Sequence, residues 1–346
     1  MRRLRNTLYV TTDGAWLRKE GENIVMEVEG GARACLPVHM LEGLVCIGRV
    51  MISPALMGHC AASGICVSFL SPNGRFLARV EGPVSGNVLL RRAQYRPSDD
   101  PAGCADLVRH LLVGKVHNQR AVLARALRDH AESMDEAGVA SLVEAVRQLG
   151  RITQRLLLEP TVDGLRGLEG EAAQRYFAVF DHLIRVPHPS LRFTVRSRRP
   201  PRDAMNALLS YLYTLLVHDC RGALESVGLD PAVGFLHRDR PGRPSLALDL
   251  MEAFRPVLAD RLALSLINLR QVTERDFIAD EGGAVHMRED ARKTLLMAWQ
   301  ERKREERKHA FLEEKMALGL FPFVQSQLLA RHLRGDLDAY PPFLWK

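Results

Sequence analysis

The stretch ICVSFLSPNGRFLARV, residues 65–80, contains two short apolar segments joined across Pro72-Asn73-Gly74. Asn-Gly turns between segments of this length are typical of β-hairpins, so 65–70 and 76–80 are predicted to pair antiparallel. Further strands of similar length, again separated by turn residues, are predicted at 7–12, 15–20, 24–29 and 41–47. One helix interrupts them, because Ser53 can cap it, Pro54 suits its first position and Gly64 can end it. The beginning of the chain is therefore predicted to be a small, mostly β domain.

The hydrophobic period becomes helical after residue 85. Apolar residues then recur at three- and four-residue spacing, as on the buried face of amphipathic helices. Helices are predicted in particular over 170–184, 203–227, 249–269 and 288–318. The sequence thus predicts an α+β chain of two domains: a small β domain at 1–85 and a larger, all-α domain at 86–346.

Composition and charge narrow the function classes. The 346 residues include 48 Lys and Arg against 41 Asp and Glu, a net charge of +7 that favours an anionic partner such as nucleic acid. The six cysteines form no Cys-x-x-Cys pair, which is typical of a reducing compartment. The apolar segment near the start is too short for a signal peptide, and no segment is long enough to cross a bilayer, so a cytoplasmic protein without a membrane partner is expected. Motifs of P-loop, dinucleotide-binding, zincin and serine-hydrolase proteins are absent from the sequence.

Acidic residues in the helical part suggest a metal site. Asp249 and Glu252 are three residues apart and would share one helical face. With an imidazole such as His237 and a third carboxylate, they would form a mixed nitrogen and oxygen set, which suits Mn²⁺, whereas Mg²⁺ prefers oxygen ligands and water. A structural interpretation is equally open from these residues, because lone histidines are often structural and Asp249 is well placed to be a helix N-cap.

The order of several segments carries a family resemblance. The segments are 86–95 (GNVLLRRAQY), 115–120 (KVHNQR), 167–173 (GLEGEAA), 233–237 (VGFLH), 246–252 (LALDLME), 333–337 (LRGDL) and 340–346 (YPPFLWK). Over essentially its whole length, the sequence resembles the family of CRISPR-associated endonucleases that act as integrases in spacer acquisition. It is most similar to the type I-C branch.

The resemblance implies both a fold and an active site. The fold would be an N-terminal β-sandwich-like domain, used for dimerisation and partner contacts, followed by an all-α catalytic domain. By position in the family motifs, Glu169, His237 and Glu252 would bind the divalent cation, Mn²⁺ or Mg²⁺. Asp249 matches a further acidic position beside that metal. Some relatives have Asp where this chain has Glu252.

The resemblance also implies a reaction and its partners. The enzyme would insert captured double-stranded DNA fragments into the CRISPR repeat, by attack of a 3′-hydroxyl on a phosphodiester. It would work as a homodimer, with a small second-numbered Cas protein bridging two dimers. The alternative is a non-catalytic, basic DNA-binding scaffold dimer whose acidic residues are structural.

Basic residues near His237 are candidates for DNA binding. Arg238, Arg240, Arg243 and Arg255 could hold phosphates, and for each of them a solvated or intramolecular ion pair is the alternative. The segment around Lys115 is expected either to pack within a helix or to contact the DNA backbone.

Overall fold

The computed structural model describes residues 6–28, 31, 33–72, 74, 76–82 and 88–345. The start of the 86–95 motif and the predicted domain boundary at 85 lie outside these residues. The first part of the chain forms eight strands and one helix, in this order: β1 Asn6–Val10, β2 Trp16–Glu20, β3 Asn23–Glu27, β4 Ala34–Pro37, β5 Leu41–Ile47, β6 Met51–Ile52, α1 Pro54–Ala62, β7 Cys66–Leu70 and β8 Phe76–Val80. The predicted mostly β region at the beginning of the chain is confirmed.

Helix α1 has the ends that its sequence predicts. The Ser53 hydroxyl accepts a hydrogen bond from the Leu56 backbone N–H at 3.3 Å, and Pro54 takes the first helical position. Gly64, just past the helix, has φ +68°, a left-handed conformation that glycine adopts without steric cost.

The strands form two four-stranded sheets, ordered β1-β5-β7-β8 and β4-β3-β2-β6. The β7–β8 and β2–β3 pairs are antiparallel, as expected for hairpins. Three pairs of the described strands are parallel instead: β1 with β5, β5 with β7, and β2 with β6. Chain segments that contain other strands or α1 join these pairs, and such long connections permit parallel neighbours.

The remainder of the described chain is mostly helical. Its helices are α2 Val88–Asp99, α3 Pro101–His130, α4 Glu136–Leu158, α5 Val162–Ala178, α6 Ala204–Ser226, α7 Ser245–Met251, α8 Arg261–Asn268, α9 Glu289–Arg304 and α10 Phe321–Leu333. A π-helical segment, Arg255–Asp260, connects α7 to α8. π-Helical turns are rare in proteins, and those that occur are often found at functional sites.

The all-α prediction for this part needs a correction, because two short antiparallel ribbons interrupt the helices. The ribbons are β9 Phe277–Ala279 with β10 Val285–Met287, and β11 Glu306–Lys308 with β12 Lys315–Ala317. The predicted helix 288–318 therefore ends at Arg304. Glu305, the C-cap, has the non-helical ψ of 128° and leads the chain into β11, and its carboxylate lies 2.8 Å from the guanidinium groups of both Arg302 and Arg307.

The β region and the helices share a core. Val45, Ile47 and Leu70 of the first sheet belong to the same hydrophobic cluster as the apolar faces of the helices. Lys303 of α9 is 2% exposed and its Nζ lies 3.0 Å from Asp219 Oδ2, within the helical part. None of the described helices is long and apolar enough to cross a membrane.

Candidate active site

His237 lies in the loop between α6 and α7, and its imidazole is held by Asp249. The distance from His237 Nδ1 to Asp249 Oδ1 is 2.6 Å, and the imidazole side chain is 20% exposed. Because an ionised carboxylate can only accept, Nδ1 carries the proton and Nε2 keeps the lone pair that a metal ligand needs. The histidine is therefore oriented for ligation before any metal binds.

Asp249 also holds the backbone of the same loop. Its Oδ2 accepts the N–H groups of Phe235 at 2.6 Å and Leu236 at 3.0 Å, while Oδ1 accepts the N–H of His237 at 3.0 Å. With the imidazole, four donors converge on one fully buried carboxylate. Such bonds favour the charged form and fix the loop.

The helix-cap alternative for Asp249 is wrong. Helix α7 begins at Ser245 with Pro244 in the N-cap position, so Asp249 is the fifth helical residue. Its carboxylate faces the loop before the helix instead of the first turn of its own helix. With all four bonds made, it acts through His237 as a positioning residue.

Two residues that the sequence did not single out fix this loop from the other side. Arg166 of α5 donates from Nε and Nη2 to the Leu236 carbonyl, at 2.9 and 2.7 Å. Gly234 has no room for a side chain, because a Cβ there would lie 2.7 Å from Ser245 Cβ and 2.9 Å from Asp249 Oδ2. The spacing of Arg166 and Glu169, one turn apart on α5, is the only sequence signal that pointed to the arginine.

Glu169 and Glu252 converge on one buried ammonium group, that of Lys115. Glu169 is a half-buried residue of α5, and Glu252, directly after α7, is 2% exposed. Lys115 of α3 is 4% exposed; its Nζ contacts the Glu169 carboxylate and lies 2.7 Å from Glu252 Oε2. The Nη1 atom of Arg255 lies 2.8 Å from Glu252 Oε1. Three helical segments, far apart in sequence, thus bring two predicted ligands to one cation.

The charge of Glu252 is set by its neighbours. Burial raises the pKa of its carboxyl, but the positive charges of Arg255 and Lys115 outweigh burial and lower the pKa to about 2. Glu252 is therefore ionised at neutral pH although it is almost inaccessible.

Arg255 leads from Glu252 into a buried polar network. Its guanidinium stacks 4.8 Å above the Tyr213 ring, whose hydroxyl donates to Asp260 at 2.7 Å. The Tyr176 hydroxyl also donates to Asp260, at 3.1 Å. Burial raises the pKa of Asp260 to about 6, although the two tyrosine hydrogen bonds lower it. Tyr176 is fully buried and therefore belongs to the core.

The four candidate arginines lie in different environments. Arg238 is exposed and its Nη2 lies 3.2 Å from Asp163 Oδ1; Arg240 is exposed, and Arg243 is half-buried. Arg255 is occupied by Glu252, so its intramolecular alternative applies. The first three remain available to a phosphate group, whereas Arg255 does not face solvent.

A cleft of about 630 Å³ opens beside His237. Its walls include Arg166 and Arg238, together with Asp163 and Asp239, so charges of both signs line it. His237 is among its lining residues, whereas Glu169 and Glu252 are not.

The donor set fits a cation, although no metal cluster is preassembled. Among the described residues, no three His, Cys, Asp or Glu side chains are grouped closely enough to hold an ion. Glu252 Oε2 is buried, and its close charged partner is the Lys115 ammonium at 2.7 Å. Two carboxylates that already bind an ammonium, and an imidazole with a free Nε2, are appropriate ligands for a divalent ion.

Solved structures place this fold in a known class. The chain is similar to the protein in "Casposase bound to integration product", with a TM-score of 0.83, 20% identity, and coverage of 99% of this chain and 95% of that one. It is also similar to a chain of the "Cas6-RT-Cas1--Cas2 complex", with a TM-score of 0.81, 21% identity, and coverage of 99% of this chain and 36% of that one. The fold is therefore that of the Cas1 and casposase proteins.

Sequence comparison identifies the family. The profile of the family described as "CRISPR associated protein Cas1" matches residues 8–301. The CRISPR-associated endonuclease Cas1 2 of Rhodospirillum rubrum is 59% identical over 347 residues, covering 100% of both chains. The chain belongs to the Cas1 family of CRISPR-associated endonucleases.

Proposed function

We propose that this Cas1 protein is a divalent-metal-dependent DNA endonuclease and integrase of CRISPR adaptation. In its integration reaction, the 3′-hydroxyl of a captured double-stranded fragment loses its proton and bonds to a phosphorus atom of the repeat. The bond from that phosphorus to a strand end of the repeat breaks. The observation that supports this chemistry best is the convergence of Glu169 and Glu252 on one buried ammonium group, that of Lys115.

Glu169, Glu252 and Nε2 of His237 would hold the ion. When bound, a divalent cation supplies stabilisation of the negative charge that develops on the phosphodiester oxygens. The mixed nitrogen and oxygen donors suit Mn²⁺, and Mg²⁺ is the other candidate. The imidazole must be neutral to act as a ligand, so activity should fall at a pH where it is protonated.

The other residues position DNA and ligands. Asp249 keeps the proton on Nδ1 of His237, and Arg166 ties the loop to the helix that carries Glu169. Arg238 lies at the cleft, where a DNA phosphate would compete with Asp163 for its guanidinium. Arg240 and Arg243 follow on the same loop and would extend this contact along the backbone.

The partners and domain roles belong to the same proposal. Residues 1–85 would form a sandwich-like domain for dimerisation and partner contacts, and 86–346 the catalytic domain. Val10 and Leu44 of one sheet and Leu17 and Ile24 of the other share one hydrophobic cluster, which supports packing between the two sheets. In the complete assembly, a small Cas2 protein would bridge two homodimers, and the assembly would bind double-stranded DNA. The protein would belong to the type I-C branch.

Strand transfer of a labelled DNA fragment into a repeat-containing duplex tests the proposal. We expect activity with Mn²⁺ or Mg²⁺, none with a chelator, and none for Glu169→Gln. Glu171→Gln is the matched control, because Glu171 lies two residues further along α5, where its carboxylate pairs with Arg155 at 2.8 Å. Full activity of Glu169→Gln, or activity in a chelator, would show that these residues hold no catalytic metal.

Glu169 is a better test position than Glu252. Removing the Glu252 carboxylate would leave Lys115 and Arg255 buried without it, at a cost of about 3–5 kcal/mol for a broken buried pair. Loss of activity in such a variant would not separate a ligand from a structural residue. The scaffold alternative predicts that DNA binding persists in Glu169→Gln and that no variant or metal affects any strand transfer.

A further inference from the structure

Lys115 is the one residue at this site whose function the metal mechanism leaves open. It is 4% exposed, and its ammonium lies between the carboxylates of Glu169 and Glu252. Burying a lysine ammonium is unfavourable unless carboxylates pair with it, so Lys115 depends on its two acidic neighbours. The ammonium thus takes the place between the two carboxylates that a cation shared by them would take.

The backbone that carries Lys115 is fixed. One turn further along α3, Asn118 donates to the carbonyls of Ala253 at 2.7 Å and Phe343 at 3.0 Å, and accepts the N–H of Trp345 at 2.7 Å. Gly114, directly before Lys115, packs so close to the same Phe343 carbonyl that a Cβ would lie 3.1 Å from that oxygen. These contacts hold this turn of α3 against the segment that ends the chain.

Charge balance leads to the inference. Glu169 and Glu252 contribute two negative charges, and Lys115 and Arg255 two positive ones, so the group is neutral without a metal. We infer that Lys115 is an internal counter-ion of the metal site, whose ammonium holds the two carboxylates together and must be displaced when a divalent cation binds them. This inference rests on the proposed function and names a positioning residue that competes with the metal.

Two consequences follow from this competition. Without metal, Lys115 prevents two buried carboxylates from repelling each other, so it stabilises the free protein. When a metal ion is bound, the displaced ammonium adds to a net positive charge at the site, and this charge weakens metal binding. An anion such as a DNA phosphate would neutralise the excess charge. A lysine that only supported the ligands would have the opposite effect, because its loss would weaken metal binding.

Mn²⁺ titration of Lys115→Met in the full-length protein tests the inference. Methionine keeps an unbranched apolar side chain and removes the charge. We expect a lower thermal midpoint in EDTA, a Kd for Mn²⁺ at least about tenfold smaller than in the wild type, and a larger rise of the midpoint on adding Mn²⁺. A Kd equal to or larger than the wild-type value would overturn the inference.

Lys303→Met is the matched control. Lys303 is the other buried lysine with two acidic neighbours, with its Nζ 3.0 Å from Asp219 and 3.8 Å from Glu42. Its loss should lower the midpoint in EDTA and leave the Kd for Mn²⁺ unchanged. If Lys115→Met does not fold, Lys115→Gln, which is neutral and polar, is used; it must also bind Mn²⁺ more tightly than the wild type, and failure to do so overturns the inference.

Glu169→Gln separates this inference from the proposed function. If Glu169→Gln binds Mn²⁺ as tightly as the wild type, the proposed metal site is wrong. If Glu169→Gln weakens binding but the Lys115 variants do not strengthen it, the metal site stands and the counter-ion inference alone is wrong.

Discussion

Asp249→Asn is the substitution that most sharply tests how the loop of His237 is held. The carboxylate accepts two donors on each oxygen: Phe235 and Leu236 on Oδ2, and the backbone and ring of His237 on Oδ1. An amide has one oxygen, so it can serve only one of these pairs. Its NH₂ group would then face the other pair, donor against donor.

The cost follows from the two bonds that cannot be made. A hydrogen bond to a charged group contributes about 1.5–3 kcal/mol, so losing two of them should cost about 3–6 kcal/mol unless the loop rearranges. Rearrangement would release His237 and allow its other tautomer. Loss of such an orienting partner typically weakens metal binding by about 10–100-fold.

Thermal unfolding, Mn²⁺ titration and strand transfer measure these effects together. We expect Asp249→Asn to unfold at a clearly lower temperature, or to keep its fold with a loosened loop, and in either case to bind Mn²⁺ weakly and lose strand transfer. Asp239→Asn is the matched control, because Asp239 is an exposed residue of the same loop that accepts only a 3.4 Å bond from Gly234. Wild-type stability and activity in Asp249→Asn would refute the role assigned to this carboxylate.

Three further predictions concern the loop, the pH dependence and DNA. Gly234→Ala should abolish most strand transfer and lower the thermal midpoint, since its Cβ would displace the buried Ser245 or Asp249; unchanged activity and midpoint would mean that the loop tolerates the shift. Burial, together with the charges of Arg221 and Arg79, lowers the pKa of His218 to about 4. As the pH falls from 6.5 to 4, the unfolded chain therefore takes up a proton that the folded chain does not, and the free energy of unfolding of the wild type decreases. Measured by denaturant unfolding, this decrease should be smaller in His218→Gln by up to about 1.4 kcal/mol per pH unit. An unchanged slope of the free energy of unfolding against pH would contradict the prediction. Affinity for double-stranded DNA should drop by about a thousandfold between 50 and 200 mM salt, with little sequence preference; binding that is insensitive to salt would exclude phosphate contacts as its basis.

Local sequence signals predicted the local features of this fold. Ser53 and Gly64 correctly predicted both ends of α1, and turn residues correctly divided most of the strands. Parallel pairing was not predictable, because it depends on which distant strands become neighbours. The end of α9 at Arg304 was missed for a similar reason, since the chain beyond it pairs with β12, a strand that only the folded chain brings beside it.

At the candidate site, too, the sequence predicted local features and missed the contacts between distant segments. The family motifs pointed to Glu169, His237 and Glu252 as candidate ligands, and the structure brings Glu169 and Glu252 to one ammonium group. The sequence could not show that Lys115 lies between them, because α3, α5 and the segment after α7 meet only in the folded chain. Nor could it show that Asp249 serves the preceding loop, since its position near a helix start is equally typical of an N-cap.

Anomalous diffraction from crystals soaked in MnCl₂ tests the central claim most directly. The account predicts one strong Mn²⁺ peak at about 2.0–2.3 Å from a carboxylate oxygen of Glu169, one of Glu252 and Nε2 of His237, with the Lys115 ammonium moved away from between the carboxylates. A peak elsewhere, or a Lys115 ammonium that still bridges Glu169 and Glu252 at saturating Mn²⁺, would contradict it.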